Sequence, residues 1–147
     1  MLRRKVDIKL ETWFNDKNHN PLIIYGSRQI GKSTSILEFG KKHYKSVIEI
    51  NFLRDPEYIN KFKDGFNPID INYNISLINP KHKFIPNETL IFFDEIQDCI
   101  DSVTALKFYK QDGKFDVICS GSMLGINYNK ITSISVGYKE DYIMYSM

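Results

Sequence analysis

Apolar positions along the chain follow two rhythms, one helical and one of short unbroken runs. Val6, Leu10, Trp13 and Phe14 recur at helical spacing among charged residues, which predicts an amphipathic helix over about 3–15. The breaker-rich turn from Asn15 to Pro21 follows. Leu22 to Tyr25 (LIIY) is a continuous apolar run between a proline and a glycine, the pattern of a strand covered on both faces. Ile36, Leu37 and Phe39 then mark the buried stripe of a helix beginning near Lys32, and SVIEINF (46–52) reads as the next strand.

Asp55-Pro56-Glu57 combines an N-cap, a first-turn proline and an acidic residue, which predicts a short helix over about 56–63. Asn67-Pro68 repeats the start signal. In the stretch after it, Ile69, Ile71, Tyr73, Ile75 and Leu77 alternate like a strand, while the cap and the Ile71/Ile75/Ile78 spacing favour a helix. The helix is preferred. TLIFF (89–93) is another buried strand, a helix is expected over about 102–110, and DVIC (116–119) is a further strand. The β-branched and aromatic tail from Ile134 to Met147 reads as strand throughout.

Strands alternating with helices imply an α/β domain with a mainly parallel sheet. Right-handed crossovers place helices on both faces, giving a three-layer αβα arrangement. The 147 residues fit one domain. With 42% hydrophobic and 26% charged residues, disorder is excluded. A net charge of +2 with scattered lysines does not indicate nucleic acid. Cys99 and Cys119 form no CxxC pair and read as reduced core thiols. No apolar run approaches the ~20 residues of a membrane span, and the N-terminus lacks a signal peptide's hydrophobic segment. These features point to the cytoplasm.

The chemistry begins at GSRQIGKS (26–33), which fits G-x-x-x-x-G-K-[ST] at every position, after a predicted strand and before a predicted helix. Gly26 lets the chain leave the strand sharply, and Gly31 lets the backbone approach an anion. Successive N–H groups and the helix N-terminus favour a phosphate. Gly26, Ser27, Arg28, Gln29, Ile30, Gly31, Lys32, Ser33 and Thr34 are therefore the candidate nucleotide-binding residues. Lys32 suits the β- and γ-phosphates and the Ser33 hydroxyl suits Mg²⁺. Arg28 and Gln29 read more simply as solvent-facing.

LIFFDE (90–95) ends a strand on two carboxylates. Asp94 is placed to hold Mg²⁺, and Glu95 to orient and deprotonate the water attacking the γ-phosphate. CSGS (119–122) ends the next strand with two hydroxyls, Ser120 and Ser122, either of which can contact a phosphoryl oxygen. His19, His43 and His82 stand isolated and take no role, and Trp13 and Phe14 read as core.

With Trp13, GSRQIGKS (26–33), VIEINF (47–52), LIFFDEIQ (90–97), CSGSMLG (119–125) and the tail from Val136 in order, the chain resembles the AAA-type ATPases of bacteria and archaea that carry a C-terminal domain of uncharacterised function. The resemblance implies a P-loop NTPase (RecA-like/AAA) core, ATP and Mg²⁺ as ligands, and ATP hydrolysis with Lys32, Glu95 and Ser122 as catalytic residues. It favours Ser122 over Ser120 and brings Gln97 of DEIQ toward the site. In the family a helical lid and a second domain follow this core. Their absence from residues 1–147 is a departure, and Lys130 and Lys139 cannot supply an arginine's bidentate fork. Partners beyond ATP reduce to another protein, the family's C-terminal domain, or further copies of the chain. Two other functions stay open: a nucleotide-binding switch or truncated remnant with little turnover, and, more weakly, a P-loop kinase.

Overall fold

The computed structural model describes residues 5–26, 31–124 and 127–144. In chain order the elements are α1 (Lys5–Asn15), β1 (Leu22–Tyr25), α2 (Lys32–His43), β2 (Ser46–Asn51), a 3-10 helix (Pro56–Phe62), α3 (Pro68–Ile78), β3 (Thr89–Asp94), α4 (Ile100–Thr104), α5 (Leu106–Asp112), β4 (Asp116–Gly121), α6 (Tyr128–Ser133) and β5 (Glu140–Ile143). A further 3-10 turn spans Ile96–Asp98. The strands form one sheet in the order β2-β3-β4-β1-β5, with every pair parallel. Such a sheet needs a cover on each face, and the two covers form separate clusters.

On one face α1 and α2 bring Val6, Leu10, Trp13, Ile36 and Phe39 against Leu22, Ile24, Leu90, Phe92 and Ile118. On the other, the 3-10 helix and α3 to α6 pack Tyr58, Phe62, Ile71, Ile75, Val103, Leu106, Tyr109 and Ile131 over Ile23, Ile48, Ile50, Ile91, Phe93 and Cys119. Strand alternation explains the split: even positions of β3 and β4 face α2 and odd positions face α5. Helix α2 lies close to the sheet at Gly40, where an added Cβ would sit 2.8 Å from Val47 Cγ2. Both cysteines are free and buried, and burial pushes the Cys99 thiol up to about 12, so neither is a ready nucleophile.

Three elements differ from the sequence reading. The helix expected over 102–110 starts two residues earlier and is divided at Ala105 into α4 and α5. Helix α6 is unannounced, because its N-cap Asn127 makes no capping bond of its own. The tail yields only a four-residue strand within its described part: Ser135 (φ 58°) and Gly137 (φ 88°) turn the chain before Glu140.

His19 is not isolated in space. Its ring stacks on Trp13 at 4.1 Å, and its Nε2 lies 2.8 Å from Asp116 Oδ1. Tyr44 Oη donates to the other oxygen at 2.6 Å. Burial opposes charge on His19, but the hydrogen bond and the charge of Asp116 outweigh it and raise its pKa. Burial also works against the Asp116 carboxylate, but His19 and Tyr44 hold it below its usual range. A raised histidine stabilises the fold fully below its ordinary value of 6.5 and loses that contribution as pH rises through the folded value. A lowered aspartate contributes above 3.8 and loses it as pH falls through its folded value. The pair is therefore strongest between those two limits. Urea midpoints should fall from pH 6 to pH 8 in the wild type, and by less in His19→Gln. Equal pH dependence in the two proteins would refute this account.

Candidate nucleotide-binding site

The sheet order puts β1 between β4 and β5, with β3 beyond β4. A parallel sheet binds ligands beyond the carboxyl ends of its strands near such a reversal of order. At that end the described chain brings together the start of α2, the ends of β3 and β4, and the last residue of β2.

Gly31 precedes α2 with φ 79° and ψ 21°, a left-handed conformation that glycine adopts without steric cost. Gly26 continues the β1 ladder by donating its N–H to Gly121 O at 3.1 Å. Ser27, Arg28, Gln29 and Ile30 lie outside the described residues. Lys32 opens α2 and is only 3% exposed, although lysine is rarely buried. Ser33 Oγ donates to Asp94 Oδ2 at 2.9 Å, while Thr34 is exposed. Asp94 also accepts the Glu95 N–H at 2.9 Å on Oδ1. Burial pushes the Asp94 carboxyl up, and Ser33, Lys32 and the Glu95 amide recover only part of that shift. A nearby cation would relieve this cost.

Glu95 is 7% exposed and takes a left-handed backbone, φ 59° and ψ 50°. That conformation costs a non-glycine residue about 1–2 kcal/mol. The Gln97 Nε2 donates to Glu95 Oε1 at 2.7 Å, and Gln97 Oε1 accepts the Ser122 N–H at 3.2 Å. The Ser122 hydroxyl accepts from the Leu124 N–H at 3.0 Å, which leaves its own proton to donate.

Ser120 is fully buried, pairs in register with Asp94, and its hydroxyl has no partner among the described residues. Strand alternation puts it on the same face as Ile118 and α2. An unsatisfied buried hydroxyl costs about 1–3 kcal/mol. Ser120→Ala should therefore leave the protein as stable as the wild type or more so, by about 1 kcal/mol. Thermal melts check this; a destabilised variant would contradict it.

Sequence reasoning missed two residues here. Asn51, the last of β2, donates to Asp94 Oδ2 at 3.4 Å and accepts the Leu53 and Arg54 N–H groups. Arg54, held by that turn, pairs with Asp55 and feels the charge of Asp94. Their signal was only position: Asn51 stands opposite Asp94 in the sheet, and sheet order is not written in local sequence. Lys139, by contrast, is tied to Asp141 at 2.8 Å and to the Thr132 carbonyl, and Lys130 is exposed.

A family model described as an AAA domain matches residues 18–147. The chain belongs to this AAA-domain family. It has the AAA-type P-loop ATPase core, a nucleotide-binding function of the ATPase type goes with it, and α1 begins before the matched region. No curated protein matches the sequence. Among solved structures, this AAA domain is similar to Caenorhabditis elegans PCH-2, with a TM-score of 0.50 and 10% identity over 97% of this chain and 42% of that one. It is also similar to a chain of the Drosophila ORC bound to GC-rich DNA and Cdc6, with a TM-score of 0.54 and 12% identity over 97% of this chain and 57% of that one. At such identities the likeness concerns the fold alone, and the AAA domain here spans about half the length of those chains.

Among the described residues no helix is long and apolar enough to cross a membrane. None of them form a cluster of three or more His, Cys, Asp or Glu placed to hold a metal. The Ser33 hydroxyl and Asp94 carboxylate nevertheless fit Mg²⁺, a hard cation that usually takes one or two carboxylates together with phosphate oxygens.

Proposed function

We propose that this chain binds ATP with Mg²⁺ and hydrolyses the γ-phosphate. The observation that carries the reading is the convergence of Ser33 on Asp94 at 2.9 Å, with the buried carboxylate of Glu95 next in sequence. Ser33 and Asp94 would hold Mg²⁺, which supplies charge neutralisation of the phosphates when bound. Residues 26–34 cradle the phosphates, and Lys32 meets the β- and γ-oxygens. Glu95 takes the proton of the attacking water as its oxygen bonds to the γ-phosphorus and the bond to the bridging oxygen breaks. Ser122 donates a hydrogen bond from its hydroxyl to a γ-phosphoryl oxygen.

A second reading, a nucleotide-dependent switch without useful turnover, draws on one observation: Glu95 is already engaged by Gln97 at 2.7 Å. Calorimetric titration with MgATP, combined with an assay of released phosphate, separates the two. Binding with continuous phosphate release supports hydrolysis. Binding without release supports the switch, and absence of binding refutes both.

A further inference from the structure

We propose that Gln97 is a positioning residue for the hydrolytic step, its side-chain amide coupling the aim of the Glu95 carboxylate to the Ser122 segment at the end of β4. This rests on the reading above, in which Glu95 activates water.

The amide can satisfy its neighbours in one orientation only. The Ser122 N–H can donate but not accept, so it selects the Oε1 end, at 3.2 Å. The donor end is then left facing Glu95 Oε1, a carboxylate oxygen that can only accept, at 2.7 Å. The backbone of Gln97 is fixed as well, because Asn127 Nδ2 donates to its carbonyl at 2.9 Å. The amide lies beside the backbone of Gly121 at the end of β4. A Cβ added at Gly121 would lie 2.9 Å from Ile96 Cγ1 and 3.5 Å from Gln97 Oε1.

Glu95 needs such support. Its left-handed backbone is a strained conformation that persists only where the surroundings enforce it. Through Gln97, any contact that draws Ser122 toward a phosphoryl oxygen also moves the partner of the Glu95 carboxylate. Engagement of the γ-phosphate and alignment of the base become one event rather than two. Misplacement of a reacting group by as little as 1 Å can cost about 100-fold in rate.

Two variants divide the contact. Gln97→Met removes both contacts without adding a charge, and Gln97→Glu keeps the acceptor for the Ser122 N–H while setting a second carboxyl group against Glu95 in place of the amide donor. Steady-state hydrolysis of MgATP by the full 147-residue chain should show kcat lowered about 10- to 100-fold in both variants, with KM within about threefold of wild type. Circular dichroism melts verify folding, and Gln97→Glu stands as the test if Gln97→Met does not fold. Wild-type kcat in Gln97→Glu overturns the proposal, because the Ser122 contact alone would then suffice. A raised KM at unchanged kcat also overturns it, by making Gln97 a binding residue. Either result, with an active wild type, leaves the hydrolysis reading intact. A wild type that binds MgATP and releases no phosphate overturns that reading and the positioning role together.

Discussion

Glu95→Gln should retain MgATP binding and lose hydrolysis by about 100- to 10,000-fold, the range that a positioned general base contributes. That corresponds to about 3–5 kcal/mol of transition-state stabilisation. The substitution is conservative in this site. The amide oxygen of a glutamine can accept from Gln97 Nε2 as Glu95 Oε1 does, so the contact at 2.7 Å survives. The left-handed backbone at position 95 costs either residue about the same. The ability to take a proton disappears together with the negative charge, while the acceptor for Gln97 stays. Calorimetry should therefore give an affinity within a few-fold of wild type, while released phosphate falls to near background. Hydrolysis at the wild-type rate would remove Glu95 from the mechanism. Loss of binding would mean that its charge holds the site together rather than activates water.

The fold was legible where burial on both faces leaves its mark. LIIY and TLIFF are fully buried strands, and unbroken apolar runs of that length have few other uses. The ambiguous stretch after Asn67 was resolved by its cap: Asn67 accepts the Ile69 N–H at 2.9 Å and α3 buries Ile71 and Ile75. Its misleading alternation arose because Ile69, Tyr73 and Leu77 are also apolar yet remain exposed on the other side of the helix. Helix α6 and the shortness of β5 were not legible. The first is anchored by Asn127 to Gln97, and the second is cut by Ser135 and Gly137, so both depend on distant contacts or on turns without a strong signature.

Of the candidate site, the described parts of the two motifs were found in sequence and meet in space at Ser33 and Asp94. Of the residues that link them, Gln97 was reached only through the resemblance to the family's DEIQ signature, and Asn51 not at all. Asn51 and Gln97 acquire their positions from strand order, which puts the ends of β2, β3 and β4 side by side. Spacing likewise left the choice of hydroxyl open, and only the family resemblance favoured Ser122. Ser120 and Ser122 are two residues apart, yet one is buried with no partner among the described residues and the other sits in a local turn.

Lys32→Ala should weaken MgATP binding by about 10- to 100-fold. Hydrogen bonds to charged groups contribute about 1.5–3 kcal/mol each, and every 1.4 kcal/mol is about tenfold in affinity. The burial of Lys32 makes the upper part of that range the expected one, since a charge drawn from water interacts more strongly with a phosphate. The same cation lowers the Asp94 carboxyl against the opposing effect of burial. Its removal therefore costs the site twice: once at the phosphates, and once by making Asp94 harder to ionise for Mg²⁺. Lys32→Met separates charge from volume, because methionine fills much of the same space without an ammonium group. Both variants should lose affinity alike in calorimetry, with melts of the ligand-free proteins verifying that each is folded. If methionine restores binding, packing at the start of α2 decides affinity and the charge does not. If neither variant loses affinity, the loop from Gly26 to Thr34 does not hold the triphosphate.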